Sequence, residues 1–266
     1  MEISHLIGYV LAVFVGITLG LIGSGGSILS VPILTYIMGI EPVLSSAYSL
    51  FVVGTTALVG GFQKAKQKLV DFKKVVLFGI PTIIAVFSMR KFVIPAIPEV
   101  IVSSTIFTLH KSVFIMIVFA IVMIMASIRM IKPVKESLVL EVNLNYTNIL
   151  LNGLLIGIVA GFVGAGGGFL IIPALYFLAN TPMKKAIGTS LFIVSSQSLI
   201  GFLGDVRPDQ TIDWQLLLLF TLYAIIGVMI GNLLSKKIEG EKLKTAFGWF
   251  VLLMGIFIIL KELFLK

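Results

Sequence analysis

Long apolar runs alternate along the chain with short glycine-rich or charged interruptions, and the runs are too long for the core helices of a water-soluble domain. Val113 to Met130 (VFIMIVFAIVMIMASIRM) and Trp214 to Leu234 approach or reach the roughly 20 residues needed to cross a hydrocarbon core. Backbone groups in lipid must be satisfied within their own segment, so the runs are predicted to be helical. Cutting at Gly, Pro and charge gives ten segments: 6–22, 28–39, 45–62, 75–92, 112–130, 147–163, 169–179, 188–204, 214–235 and 245–262. Segments 28–39 and 169–179 are about a dozen residues long, which at about 1.5 Å per residue spans about half a bilayer, so they read as half-helices.

The pattern repeats. Residues 16–62 laid on 157–203 at a constant offset of 141 give 15 identities in 47 positions without a gap. Among them are Gly16, Gly20, Gly23, Gly25, Gly26, Pro32, the triplet Ser49-Leu50-Phe51, and Gly60. Glycines, a proline and a triplet in one register indicate an internal duplication rather than shared apolar composition. The halves are 1–135 and 147–266, joined by a linker over 136–146.

Charge then orients the halves. KAKQKLVDFKK (64–74) has five lysines, whereas its counterpart DVRPDQTID (205–213) has one arginine and three aspartates. The next pair of loops reverses the bias: PAIPEV (95–100) has no Lys or Arg and KKIEGEKLK (236–244) has four lysines. The positive-inside rule therefore puts equivalent loops on opposite faces, and the expected fold class is an all-α polytopic integral membrane protein built as an inverted repeat of two five-segment halves. With both termini outside, Lys64, Lys66, Lys68, Lys73, Lys74, Arg129, Lys132, Lys135, Lys184, Lys185, Lys236, Lys237, Lys242 and Lys244 fall inside, and Arg90, Lys91, Lys111, Arg207, Lys261 and Lys266 outside. Segments 6–39 and 147–179 could each cross as an unequal pair or form a re-entrant hairpin with its glycine tip at the centre.

Composition agrees: 58% of the 266 residues are hydrophobic and 12% charged, with a mean hydropathy of +1.13. The net charge of +8 sits at the ends of apolar runs rather than in a basic tract, so it reads as topology and not as a nucleic-acid surface. The start, MEISHLIGYVLAVF, carries Glu2 in place of a basic leader, and is expected to stay as the first helix. Zero cysteines exclude a disulfide framework, a thiolate metal site and a cysteine nucleophile.

The stretches GLIGSGGSILSVPIL and GFVGAGGGFLIIPAL, each followed by an SLF segment, resemble the duplicated motif of the sulfite exporter TauE/SafE family of membrane permeases. The resemblance runs over essentially the whole chain. It implies export or uptake of sulfite, sulfoacetate or related sulfur-containing organic anions, most directly export across a prokaryotic inner membrane. Two departures make the halves unequal: Ser27 stands where the second copy has Gly168, and segment 75–92 ends in Arg90-Lys91 where its counterpart has Gly227 and Gly231.

The residues themselves suggest where an anion would bind. Gly25, Gly26 and Ser27, with Gly166, Gly167 and Gly168, each precede a helix start, where unpaired N–H groups and the helix dipole favour negative charge without a buried cation. Gly16/Gly20 and Gly157/Gly161 read instead as helix-packing positions. The third segment of each half is rich in polar residues, and Ser49 and Thr56, like their counterparts Ser190 and Gln197, are seven apart and so share a face. Hydroxyls and an amide can hydrogen-bond an anion, although Ser and Thr in such helices often bond their own backbone.

Charges are expected at span ends only, which disfavours a buried carboxylate proton relay. His5 and His110 read as interfacial residues, and Lys64, Lys66 and Lys68 as topology signals that could also gather anions. No His-Glu-x-x-His or Gly-x-Ser-x-Gly is present, so an intramembrane enzyme is disfavoured, and a cation permease lacks a ligand cluster. What remains is a transporter of a small inorganic or organic sulfur anion, with an anion channel on the same scaffold, or a permease for another small anion, as the alternative. No cofactor or nucleic-acid partner is called for; the lipid bilayer is the solvent, and glycine-rich faces leave a homodimer open.

Overall fold

The computed structural model describes residues 3–103, 108–131, 146–164, 166–177, 179, 181–206, 212–235 and 240–264. Residues 136–145 of the expected linker, and Lys132, Lys135, Arg207, Lys236, Lys237 and Lys266, lie outside them. The described residues form ten helical elements in the order read from the sequence. These are α1 (Ile3–Ile22), α2 (a 3-10 turn Ser24–Leu29, then Ser30–Pro32 and a π turn Ile33–Ile37), and α3 (Pro42–Lys66). Next come α4 (Phe72–Ser88, extended by a π turn Met89–Val93 and by Ile94–Ala96) and α5 (Lys111–Ile131). The second half gives α6 (Tyr146–Val163), α7 (Gly168–Phe177), α8 (Met183–Asp205), α9 (Trp214–Leu234) and α10 (Gly240–Phe264). One feature was not expected: β1 (Val100–Ser103) pairs antiparallel with β2 (Thr108–His110) in the loop between α4 and α5.

The long helices begin where capping chemistry permits. Glu41 accepts from Leu44 N with Pro42 in the first turn, and Asp71 and Asp213 accept from Lys74 N and Leu216 N to open α4 and α9. The loop before each fourth helix is also tied to the third helix of the other half. Asp213 N donates to Tyr48 Oη at 2.6 Å, and Asp71 N donates to Thr189 Oγ1 at 3.0 Å, Tyr48 and Thr189 being equivalent at the offset of 141.

Packing exchanges the halves. α1 lies along α9 and, equivalently, α6 lies along α4. Both contacts are parallel: Gly16 and Gly20 meet Ala224 and Val228, while Gly153, Gly157 and Gly161 meet Pro81, Ala85 and Met89 in turn. A Cβ on Gly16 would lie 2.0 Å from the Ala224 carbonyl oxygen, so the backbones touch only because no side chain intervenes. The equivalent helices α3 and α8 cross antiparallel, with Phe51 against Phe202, Gly54 against Leu199, and Gly61 against Phe192. The last helices of the two halves, α5 and α10, pack on each other, and so do the two short elements α2 and α7.

Among the described residues, six helices are long and apolar enough to cross a membrane: Ser4–Ile22, Pro42–Lys66, Phe72–Ala96, Lys111–Ile128, Lys184–Asp205 and Trp214–Leu234. Their outward faces carry Leu6, Val10, Phe14, Ile80, Ile84, Met125, Leu218 and Leu222, all large, apolar and exposed. An exposed apolar face of this extent fits lipid rather than water. The protein is a multi-pass membrane protein, and many of its buried polar side chains, among them Ser46, Ser49, Thr56, Ser190, Gln197 and Ser198, lie on α3 and α8.

Candidate functional site

Along α3, residues 46, 49, 53 and 56 are spaced three, four and three apart, which puts them on one helix face. Ser46, Ser49, Val53 and Thr56 are all fully buried. The antiparallel register of α3 on α8 centres the crossing near 55–56 and 196–197, so Thr56 and its repeat counterpart Gln197 occupy the middle. Ser49 and Ser190 lie on opposite sides of that middle, each about 10 Å from it by helical rise.

The second glycine loop reaches this centre. Gly164, Gly166 and Gly167 have φ of 74°, 68° and 59°, a left-handed run that turns the chain sharply between α6 and α7. A Cβ on Gly166 would lie 2.9 Å from both Ser198 Oγ and Val53 Cγ1 and 3.2 Å from Val194 Cγ1. Val53 and Val194 are repeat counterparts, so Gly166 sits where the two halves meet. The Gln197 side-chain amide donates to the Gly166 carbonyl, and a Cβ on Gly167 would be 3.5 Å from Gln197 Nε2. Gly166, Gly167 and Gly168 are buried, and Gly168 opens α7.

The first loop differs. Gly25 and Gly26 fall in the 3-10 turn of α2 and Ser27 is fully buried. Gly23, at φ 80°, faces apolar groups: its Cβ would meet Ile187 Cγ2 at 2.8 Å and Ile172 Cδ1 at 3.3 Å. The 3-10 turn packs on α7, so the two glycine loops border one assembly of short elements in which Ser27 and Gly166 to Gly168 are buried.

Several polar atoms around this assembly are buried and receive no hydrogen bond from the protein. Ser49 Oγ, Thr56 Oγ1, Gln197 Oε1 and Ser198 Oγ are four of them, and Ser30 Oγ and Thr35 Oγ1 on α2 are two more. Buried polar groups normally find partners, so a cluster of open ones beside a glycine turn is where a polar ligand or water would be held. Ser190 is not among them, because its hydroxyl donates to the Ile187 carbonyl of its own helix at 2.8 Å.

The expectation that charges stop at the ends of spans is corrected by one residue. Arg90 lies within the span Phe72–Ala96 and is fully buried. Its Nε stands 3.0 Å from Asp205 Oδ2 as an ion pair, without the alignment of a hydrogen bond, and its Nη2 donates to Ser46 Oγ at 2.9 Å. A Cβ on Gly164 would lie 2.8 Å from Arg90 Nη2, so the cation borders the second glycine loop. The sequence held a signal for this: Phe92-Val-Ile-Pro-Ala-Ile97 continues the apolar run past Arg90, so the charge is flanked by apolar residues on both sides.

At the other end of α3, a cleft of about 300 Å³ is lined by Gln63, Lys66, Gln67, Met229, Asn232 and Leu233. Lys64 Nζ there donates to Ser235 Oγ at 3.0 Å, and Lys74 Nζ to the Ala179 carbonyl and Thr181 Oγ1. Among the described residues no group of three or more His, Cys, Asp or Glu could hold a metal ion. His110 is exposed at the end of β2 and His5 is half-buried in α1.

A bundle of apolar helices around a buried polar crossing has the architecture of a multi-pass membrane transporter. The chain belongs to the sulfite exporter TauE/SafE family, which matches residues 9–258. It is similar to a probable membrane transporter protein of Xylella fastidiosa (strain Temecula1), 30% identical over 255 residues that cover 92% of this chain and 91% of the relative. It is also similar to the probable membrane transporter proteins MJ0441 of Methanocaldococcus jannaschii and YunE of Bacillus subtilis. Each is 25% identical; MJ0441 covers 98% of both chains, and YunE 98% of this chain and 99% of its own. No solved structure matches the chain. The protein is a membrane transporter of this family.

Proposed function

We propose that the protein exports a small sulfur oxyanion, sulfite or an organic sulfonate such as sulfoacetate, across a prokaryotic inner membrane by alternating access. The observation that carries this reading is the set of unsatisfied buried groups at the α3–α8 crossing, Thr56 Oγ1, Gln197 Oε1 and Ser198 Oγ, beside the left-handed Gly166-Gly167 turn. Thr56 and Ser198 can donate hydroxyl hydrogens to an oxyanion, and α7, a ten-residue helix opened by Gly168, turns its positive end toward the same region. Gln197 binds the Gly166 carbonyl and thereby fixes the turn; rotating its amide would offer the N–H₂ to the ligand.

The antiparallel crossing of the equivalent helices α3 and α8 supports an inverted repeat, since an axis lying in the membrane plane reverses a helix onto its counterpart. In such a scaffold the two halves exchange conformations to open the centre to either face. Lysines concentrated in 64–74 support placing that end of α3 inside, with both termini outside. An inside-negative potential favours outward movement of one negative charge by about 2.3 kcal/mol per 100 mV, which would make a coupling ion unnecessary.

Proteoliposomes loaded with sulfite test this directly. Efflux should accelerate when the interior is made negative with a potassium gradient and valinomycin. Efflux that ignores the potential and follows a pH gradient would refute uncoupled anion export. The channel reading is separated by counterflow: a carrier accelerates labelled sulfite exchange when sulfite is added on the far side, and a channel does not.

A further inference from the structure

We infer that Arg90 binds the charged oxygens of the transported anion on the α4–α8 side of the path, in the place that Asp205 fills in this conformation. The inference rests on the anion-transport reading above and adds to it a cation that the glycine-turn site lacks.

Four observations carry it. Arg90 is fully buried, and while Nε faces Asp205 and Nη2 bonds Ser46, Nη1 has no hydrogen-bond partner among the described residues. A guanidinium presents a planar fork of donors suited to an oxyanion, and an idle buried N–H is costly unless something else engages it. Second, the cation heads a polar ladder. Ser46 touches Arg90, Ser49 with its open hydroxyl is one turn further along the same α3 face, then Val53 against Gly166, then Thr56 at the crossing. An anion leaving Arg90 would thus meet the Ser46 and Ser49 hydroxyls, pass Val53, and reach the Thr56 hydroxyl at the centre.

Third, repeat symmetry does not require an arginine there. At the offset of 141, Arg90 corresponds to Gly231, which packs flat on the Ile17 carbonyl, and Ser46 corresponds to Ile187. Only one of the two equivalent places therefore has this cation and hydroxyl. Fourth, Arg90 lies in the π turn Met89–Val93, whereas the equivalent stretch of α9 is regular helix to Leu234. Pro95, which has no N–H to donate back into the helix, follows directly, and the widened turn holds Arg90 against Gly164 and Gly204.

Asp205 then acts as the resting counter-charge. Its carboxylate holds the guanidinium when no anion is present, and the anion must displace it, so the pair keeps this end closed until substrate arrives. The ion pair without hydrogen-bond alignment suits a contact that is meant to be exchanged.

The test uses the full-length protein in proteoliposomes with sulfite, sulfoacetate, thiosulfate and sulfate, and four variants. Asp205→Asn should lower KM several-fold for the transported anion, because the competing carboxylate is gone. Arg90→Gln, and Arg90→Gln combined with Asp205→Asn, should lose flux about tenfold or more at unchanged protein level, the single variant melting lower because Asp205 loses its counter-charge and the double variant melting as the wild type does. Arg90→Lys should keep part of the flux at a raised KM. A structural ion pair would behave otherwise: removing both partners relieves the buried charge, so the double variant would regain wild-type flux and KM, and that result overturns the inference. An unchanged KM in Asp205→Asn overturns it too, and decides the matter if the double variant does not fold. Wild-type protein inert toward all four anions would instead refute the transport reading and this inference with it.

Discussion

At the scale of residues, Gln197 and Gly166 make the sharpest claim, because one side-chain amide holds one carbonyl at the point where the halves meet. Gln197→Ala would leave that carbonyl without its donor, at a cost of about 1–3 kcal/mol, and would remove the amide from the site. The variant should insert normally, melt a few degrees lower and lose most sulfite flux in proteoliposomes; full flux with verified insertion would remove Gln197 from the site. Gly166→Leu should abolish transport more completely, since φ of 68° disfavours any side chain by roughly 1–2 kcal/mol and its Cβ would stand 2.9 Å from Ser198 Oγ and Val53 Cγ1. Gln197 was legible in the sequence because an amide in mid-span needs a partner, and the glycines because they repeat. Arg90 was not, because segment 75–92 was ended just past Arg90-Lys91, which left the charge at a span end, whereas the apolar run continues to Ile97. Ser198 was hidden by its counterpart Ala57, which breaks the repeat at that position. Ser190 shows the opposite effect: it repeats with Ser49, yet its hydroxyl is spent on its own helix.

At the scale of elements, the repeat decides which helices touch, and the touching is done by glycine. Gly16 and Gly20 on α1 fit against Ala224 and Val228 of α9, while Gly227 and Gly231 fit against Val13 and Ile17, so each backbone supplies both ridge and groove. Gly20→Leu should force α1 away from the Val228 carbonyl, now 2.6 Å from where its Cβ would stand, and cost about 1–3 kcal/mol or more through overpacking. Thermal unfolding in detergent should register that loss, whereas Gly39→Leu, with nothing within 4 Å of its Cβ but a φ of 71°, should cost only the backbone strain. All ten elements were legible as apolar runs, with ends that moved by a few residues. α3 begins at Pro42 and α8 at Met183, because Pro42 and the residues after Pro182 continue helix into polar sequence that hydropathy alone rejects. The broken character of α2 was less legible. Its 3-10 and π turns flank Pro32, while the counterpart α7, with Pro173, is a plain helix, so the same proline in the same register produced two geometries.

At the scale of the whole molecule, the proposal is that equivalent helices face opposite ways in one bilayer, and two independent lines support it. The charge asymmetry is a statement about loops: five lysines at 64–74 against one arginine at 205–213. The crossing of α3 on α8 is a statement about packing, with 51 against 202 and 61 against 192 fixing the sense as antiparallel. Neither line needs the other. α4 is long and apolar enough to cross, and on the proposed topology Gln67 and Glu99, which flank it, lie on opposite faces. The chain has no cysteine, so single substitutions report without background. In intact inverted and right-side-out membrane vesicles, Gln67→Cys should react with a membrane-impermeant maleimide only from the cytoplasmic side, and Glu99→Cys, whose carboxylate is 86% exposed beside Lys111, only from the outer side. If both label from one face, α4 does not cross, and alternating access about an in-plane axis fails with it. If they label from opposite faces but reversed, α4 crosses while the lysine-rich end lies outside, so the orientation taken from the loop charges is wrong, although an inside-negative potential would still drive the anion outward.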